Sequence, residues 1–170
     1  PPPAARPQPV AEDGDNGYLI TTSGSTGEPK LIAGRNKGIS HFLHWEVSEF
    51  GIDQSVRASF FAPPTFDVSL REIFVPLLAG GTLVIPSPQV RSDARRLVGW
   101  LREQRVTLMH CVPSLFRLLT RALAEDHAPL PDLRMIALAG EPLYGADVAA
   151  WRAAAGAATQ LVNLYGPSET

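Results

Sequence analysis

Thr21, Thr22, Ser23, Ser25 and Thr26 crowd hydroxyl groups into a short stretch that Gly24 and Gly27 interrupt and that closes on Pro29-Lys30. The apolar run Tyr18-Leu19-Ile20 before it reads as a strand. Glycines at these two positions let successive backbone N–H groups turn to one side and form an anion-binding nest. Lys30 adds a full positive charge at the rim, so phosphate oxygens are the natural guest. The stretch is not a Walker A loop, which ends in Gly-Lys-Ser/Thr, because the order here is Pro29-Lys30-Leu31. Taken alone, such a loop is equally well a solvated turn.

The elements around this stretch set where its chemistry can act. Spacing and turn residues predict helices over 40–50 (Ser40 as cap, Gly51 as stop), 67–78, 93–104, 114–125 and 146–155. They predict strands over 57–62, 82–85, 106–111, 133–139 and 159–164. Pro76 predicts a kink or an early end in the 67–78 helix. The strands are near-continuous apolar runs that alternate with helices, which predicts an α/β domain with a largely parallel sheet flanked by helices. In such sheets ligands sit at the carboxyl ends of the strands. The residues found there are the Thr/Ser/Gly stretch, Pro63 to Ser69, His110 to Ser114, Ala139 to Leu143, and Leu164 to Thr170. Each segment mixes Gly or Pro with polar or aromatic residues, and their convergence predicts a site.

The whole string Thr21 to Lys30 resembles the phosphate loop of adenylate-forming enzymes, Thr-Ser-Gly-Thr/Ser-Thr-Gly-x-Pro-Lys-Gly. That superfamily comprises acyl-CoA ligases, luciferases and the adenylation domains of nonribosomal peptide synthetases. Leu31 stands where the pattern ends in Gly. Asn163-Leu164-Tyr165-Gly166-Pro167-Ser168-Glu169 resembles a second motif, Asn-x-Tyr-Gly-Pro-Thr/Ser-Glu. Phe66-Asp67-Val68-Ser69 is similar to a third, typical of the amino-acid-activating branch, and Gly140-Glu141-Pro142-Leu143 to a fourth. The motifs come in family order and cover nearly all of the chain after residue 17. The fold implied is part of the large N-terminal domain of the adenylate-forming fold, over 17–170, without the C-terminal lid.

The resemblance implies ATP-dependent activation of an amino acid as aminoacyl-AMP. Mg²⁺ would assist, and the product would load the phosphopantetheine thiol of a carrier domain beside a condensation domain. It gives Thr22, Ser23, Gly24, Ser25, Thr26, Gly27 and Lys30 to the phosphates, and Gly140, Glu141, Asn163, Leu164, Tyr165 and Gly166 to the rest of ATP. Tyr165 offers a flat face for adenine and Asn163 a partner for the edge of the base. Lys30, Ser168 and Glu169 take the catalytic roles. Ser168 donates to the α-phosphate, and Glu169 is the hard carboxylate suited to Mg²⁺. The other readings are a Gly-Pro turn with a solvated Glu169, and a helix-start charge for Glu141.

For the acyl part of the substrate the resemblance gives Asp67, Val68, Arg71, His110, Ala137, Ala139 and Leu164. Asp67 would pair with the α-ammonium group, cap the helix that follows it, or do both. A buried Arg71 needs a partner, and Glu72, Asp67 and a polar substrate side chain are the candidates; otherwise it points to solvent. His110 is a substrate contact or a satisfied core histidine. His41, His44 and His127 show no metal-ligand spacing and read as structural or surface residues. Asp67 argues against the alternative of an acyl- or aryl-CoA ligase. Lys30 and Glu169 argue against a non-catalytic nucleotide-binding remnant.

The 170 residues fit one domain with a real core. A net charge of −2 gives no electrostatic support for nucleic-acid or membrane-surface binding. The single cysteine, Cys111, excludes an internal disulfide, and a reducing, cytoplasmic setting fits. There is no signal-peptide pattern and no run long enough to span a bilayer. Residues 1–16, rich in Pro, Ala and acid, read as a flexible lead-in. The chain is expected to be a fragment, inactive without its lid.

Overall fold

A computed structural model of the chain describes residues 16–22 and 30–166. The expected 1–16 lead-in lies outside the described residues, except for Asn16. The chain begins with β1 (Asn16–Thr22) and β2 (Lys30–Arg35), then α1 (Asn36–Glu49) and β3 (Arg57–Ser59). There follow α2 (Val68–Leu78), β4 (Thr82–Val84), α3 (Pro88–Arg91), α4 (Ala94–Glu103) and β5 (Leu108–Cys111). The last elements are α5 (Pro113–Asp126), β6 (Met135–Leu138), α6 (Gly145–Ala155) and β7 (Gln160–Asn163).

Five strands form one parallel sheet in the order β4-β3-β5-β6-β7. In register, Leu108 pairs with Ala58 and Met135, and Cys111, Leu138 and Asn163 end their strands side by side. Apolar surface is buried on both faces. Leu43 of α1 and Val75 of α2 cover Ala58, Leu108 and Met135 on one face. On the other, α4, α5 and α6 bring Leu97, Leu101, Phe116, Leu119, Leu123 and Trp151 onto Met109, Ile136 and Leu138. Phe116 and Trp151 stack with centroids 5.0 Å apart. Val106, Met109 and Ile136 are almost wholly buried, as continuous apolar strands require when helices cover both faces.

The first strand departs from expectation. β1 does not join the parallel sheet but forms an antiparallel hairpin with β2, an element the sequence reading lacks. The physical reason is the length of the connection: a short link turns the chain back antiparallel, whereas a parallel pair needs a crossover of about a dozen residues or more. The chain passes from β2 directly into α1, which starts at Asn36 rather than Ser40 and has no side-chain cap. The Ser40 carbonyl instead accepts from His44 Nδ1 within the helix. β3 ends at Ser59, three residues before the expected end, because its continuation leaves the sheet to be held by side chains described below.

Pro76 does not end α2, which continues to Leu78. The Pro76 carbonyl accepts from Gly81 N at 2.8 Å as the chain turns into β4. Gly81 is required there, since a Cβ would lie 2.6 Å from the Val56 carbonyl oxygen. α4 is capped as expected by Asp93, which accepts from Arg95 and Arg96 N–H. α5 starts on Pro113 and stops at His127, whose φ is 55°. No helix among the described residues is long and apolar enough to cross a membrane.

Candidate functional site

The parallel register brings the carboxyl ends of β3, β5, β6 and β7 to one edge of the sheet. The hairpin reaches the same edge through a backbone bond from Thr21 N to Thr65 O, 3.0 Å, in the segment after β3. Thr22 pairs with Lys30 at the end of the hairpin where residues 23–29 connect the two strands. The stem of the hydroxyl-rich stretch is therefore tied next to Phe66 and Asp67. Ser23, Gly24, Ser25, Thr26 and Gly27 themselves lie outside the described residues. Lys30 opens β2 and is exposed.

The segment between β3 and α2 is held by the helix it leads into. Asp67 caps α2, accepting from Val68 N at 2.7 Å. Ser69 Oγ donates to the Phe66 carbonyl at 2.6 Å and lies 3.2 Å from that of Pro64. Glu72, 1 % exposed, accepts from both Phe61 and Ala62 N–H at 2.8 Å through a single oxygen. Burial pushes its carboxyl up to about 7, more than those two donors pull it down. Arg91 donates to the carbonyls of Phe60 and Phe61 from the other side. Asp67 and Val68 are half-buried at the head of α2.

Arg71 and His110 meet, but through a residue the sequence reading missed. Glu46 of α1, fully buried, accepts from Arg71 Nε at 2.9 Å and Nη2 at 2.7 Å, and its Oε1 lies 2.8 Å from His110 Nε2. The partner of Arg71 is thus neither Glu72, Asp67 nor solvent. Glu72 is engaged with backbone, and Phe42 stacks on the guanidinium, its ring centroid 5.0 Å from Arg71 Cζ. Burial would raise Glu46, but the hydrogen bonds from His110 and Arg71 outweigh it and hold the carboxyl down at about 2. His110 is driven below its ordinary value by burial, against the pull of Glu46. A neutral imidazole beside an ionised Glu46 carries its proton on Nε2. Nδ1 is then an acceptor, buried and without a partner among the described residues. The signal that could have found Glu46 is its place three residues after Leu43, on the buried stripe of α1.

His110 pairs with Ala137 across the sheet, so the two side chains stand on the same face. Ala139 follows β6 with its N–H on the Cys111 carbonyl, 3.3 Å, and Gly140 turns the chain with φ of 86°. Glu141 reaches α5: its oxygens accept from Ser114 N and Oγ, both at 2.8 Å, at the start of that helix. Leu164 extends the β7 ladder by a bond to Leu138 O, 2.8 Å, and is half-buried. Asn163 and Gly166 are exposed, and Tyr165 is 98 % exposed. Ser168 and Glu169 lie outside the described residues. Burial pushes the Cys111 thiol up, which disfavours its thiolate form.

Among the described residues no group of His, Cys, Asp and Glu could hold a metal ion. The arrangement brings backbone and a carboxylate to one edge of a rigid sheet, which suits binding and orientation.

Residues 2–170 match the family described as AMP-binding enzyme. The AMB antimetabolite synthetase AmbE of Pseudomonas aeruginosa is 38 % identical over 162 residues, which is 91 % of this chain and 7 % of that protein. The chain thus spans less than a tenth of that relative. The adenylation domain AlmE of Vibrio cholerae, solved with glycyl-adenosine-5′-phosphate, superposes with a TM-score of 0.82 at 25 % identity, over 94 % of this chain and 30 % of that one. The nonribosomal peptide synthetase FmoA3, solved in an α-methyl-L-serine-AMP bound form, gives 0.85 at 28 % identity, over 96 % and 18 %.

Proposed function

The chain belongs to the AMP-binding enzyme family, and from that premise we propose that its protein activates an amino acid as an aminoacyl adenylate and loads it onto a carrier-domain phosphopantetheine thiol in nonribosomal peptide synthesis. The observation that carries this reading is the bond from Thr21 N to Thr65 O, which ties the stem of the phosphate loop to the segment bearing Asp67. The strand leading into the proposed phosphate loop thus lies beside the segment that bears Asp67, which supports a shared site for phosphate and ammonium groups.

In the reaction, a substrate carboxylate oxygen attacks the α-phosphorus of ATP. The bond from that phosphorus to the bridging oxygen breaks, pyrophosphate leaves, and a mixed anhydride forms. The loop from Thr22 to Lys30 holds the β- and γ-phosphates, and the Lys30 charge offsets theirs. Gly140, with its positive φ, lets backbone approach the nucleotide, and Asn163 and Tyr165 receive the base. Ser168 donates to the α-phosphate. Mg²⁺, held by Glu169, would neutralise phosphate charge. Asp67 pairs with the α-ammonium group while capping α2, since a carboxylate offers about four acceptor positions. Val68, Ala137, Ala139 and Leu164 border the side chain, with Arg71 and His110 behind. Positioning and charge neutralisation supply most of the catalysis.

Glycyl and α-methyl-seryl adenylates in the two solved relatives support an amino acid over a plain acyl substrate. The large relatives support carrier and condensation domains as partners. Pyrophosphate exchange by the full-length protein over a panel of amino acids and matching deamino acids tests the reading. Exchange with an amino acid but not its deamino analogue is expected; the reverse would favour an acyl- or aryl-CoA ligase, and no exchange a nucleotide-binding remnant.

A further inference from the structure

Two ionisable side chains that no step of the reaction above uses grip the strand-to-helix segment that carries Asp67. Phe60 still follows the sheet, its N–H on the Val84 carbonyl at 3.0 Å. The next two N–H groups, of Phe61 and Ala62, turn instead to one oxygen of Glu72, both at 2.8 Å. Glu72 is buried, and N–H groups aimed into a buried position are costly to leave without a partner. Arg91 of α3 takes the carbonyls of the same stretch, Nη2 that of Phe60 at 2.8 Å and Nη1 that of Phe61 at 3.2 Å. Phe61 is thus held through its N–H by an acid and through its C=O by a base. Pro63 and Pro64 carry no N–H, and beyond them the chain meets Thr21 at Thr65 and enters α2 at Asp67.

Glu72 stands on the helix that Asp67 caps. Its bonds close a ring that runs from Ala62 through Asp67 and back along α2, and so fix the angle at which the segment enters the helix. That angle aims the Asp67 carboxylate. We infer that Glu72 is a positioning residue for amino-acid recognition, with Arg91 as its counterpart: the two hold residues 60–62 so that Asp67 meets the substrate's ammonium group. This rests on the adenylation reading, which assigns that group to Asp67. A charge-assisted hydrogen bond is short and directional, and a misplacement of about 1 Å far from the chemistry costs up to about a hundredfold. What Glu72 supplies is an acceptor atom, since a single oxygen takes both donors. An amide oxygen in the same place serves as well.

The test is the ratio of kcat/KM for the preferred amino acid to that for its deamino analogue, measured by pyrophosphate exchange in the full-length protein. The analogue has no ammonium group, so the ratio reads the Asp67 contact and cancels general damage to the fold. Glu72→Met removes the acceptor and should lower the ratio about tenfold. Glu72→Gln keeps an acceptor oxygen and should stay within about threefold of wild type. Arg91→Met changes an exposed residue and should lower the ratio as Glu72→Met does; it decides the matter where Glu72→Met does not fold. A ratio within about threefold of wild type in Arg91→Met, or in a folded Glu72→Met, overturns the inference alone, as does a tenfold fall in Glu72→Gln. A wild type without exchange, or without preference for the amino acid over its deamino analogue, overturns the adenylation reading and this inference together.

Discussion

Glu72 gives the fold a stability that falls as pH rises through neutrality. Its carboxyl is 1 % exposed and sits at about 7 in the folded protein, against an ordinary value of 4.5. Below pH 4.5 the group is protonated in both folded and unfolded chains and contributes no pH dependence. Between 4.5 and 7 the folded state binds the proton that the unfolded state has released, so the advantage of the buried neutral form drains away as pH rises. Above 7 it is gone. At ~1.36 kcal/mol per pH unit, the loss over that window is about 3 kcal/mol. Glu72→Gln retains an oxygen for Phe61 and Ala62 N–H but cannot ionise. The variant should therefore match wild type near pH 4.5 and exceed it by about 3 kcal/mol at pH 8. Denaturant unfolding of the two proteins between pH 4.5 and 8.5 measures the gap directly. A gap that does not widen with pH, or a variant that is the weaker of the two at pH 8, refutes the reasoning.

Glu46 has the opposite sign: its carboxyl is held down at about 2, so its contribution is present above pH 4.5 and is lost as pH falls toward 2, again by about 3 kcal/mol; acid titration of wild type against the Glu46→Gln, Arg71→Met double variant should show the difference. Lys30→Ala, an exposed change, should alter stability by no more than about 0.5 kcal/mol yet sharply weaken ATP use in pyrophosphate exchange. Asp67→Asn should preserve the α2 cap, because Asn caps as well as Asp, while costing about ten- to a hundredfold in amino-acid kcat/KM and sparing the deamino analogue. Unchanged selectivity in that variant would leave Asp67 a cap alone.

What was legible in the sequence is what local pattern encodes. The apolar runs around Val106, Met109 and Ile136 announce strands covered on both faces, and Asp93 before Leu97, Val98 and Leu101 announces a capped, one-sided helix. β2 carries no such signal: Leu31 is exposed, and the strand exists because β1 pairs with it. The four residues of α3 are too few for periodicity, and they are set by Ser87 and Pro88. Arg71 was visibly in need of a partner, but Glu46 lies 25 residues away in sequence from Arg71 and 64 from His110. Only the packing of α1 and α2 on one sheet face brings the three together. The same holds for Glu72, which resembles an ordinary helix charge until the end of β3 is seen to lean on it.

The central claim is attack of a substrate carboxylate on the α-phosphorus of ATP. Incubating the full-length protein with ATP and an amino acid labelled with ¹⁸O in its carboxylate, then releasing the adenylate with hydroxylamine, traces the bond that forms. The account predicts one labelled oxygen in AMP and none in pyrophosphate. Label in orthophosphate with ADP as the nucleotide product, the mark of attack on the γ-phosphorus, would contradict it.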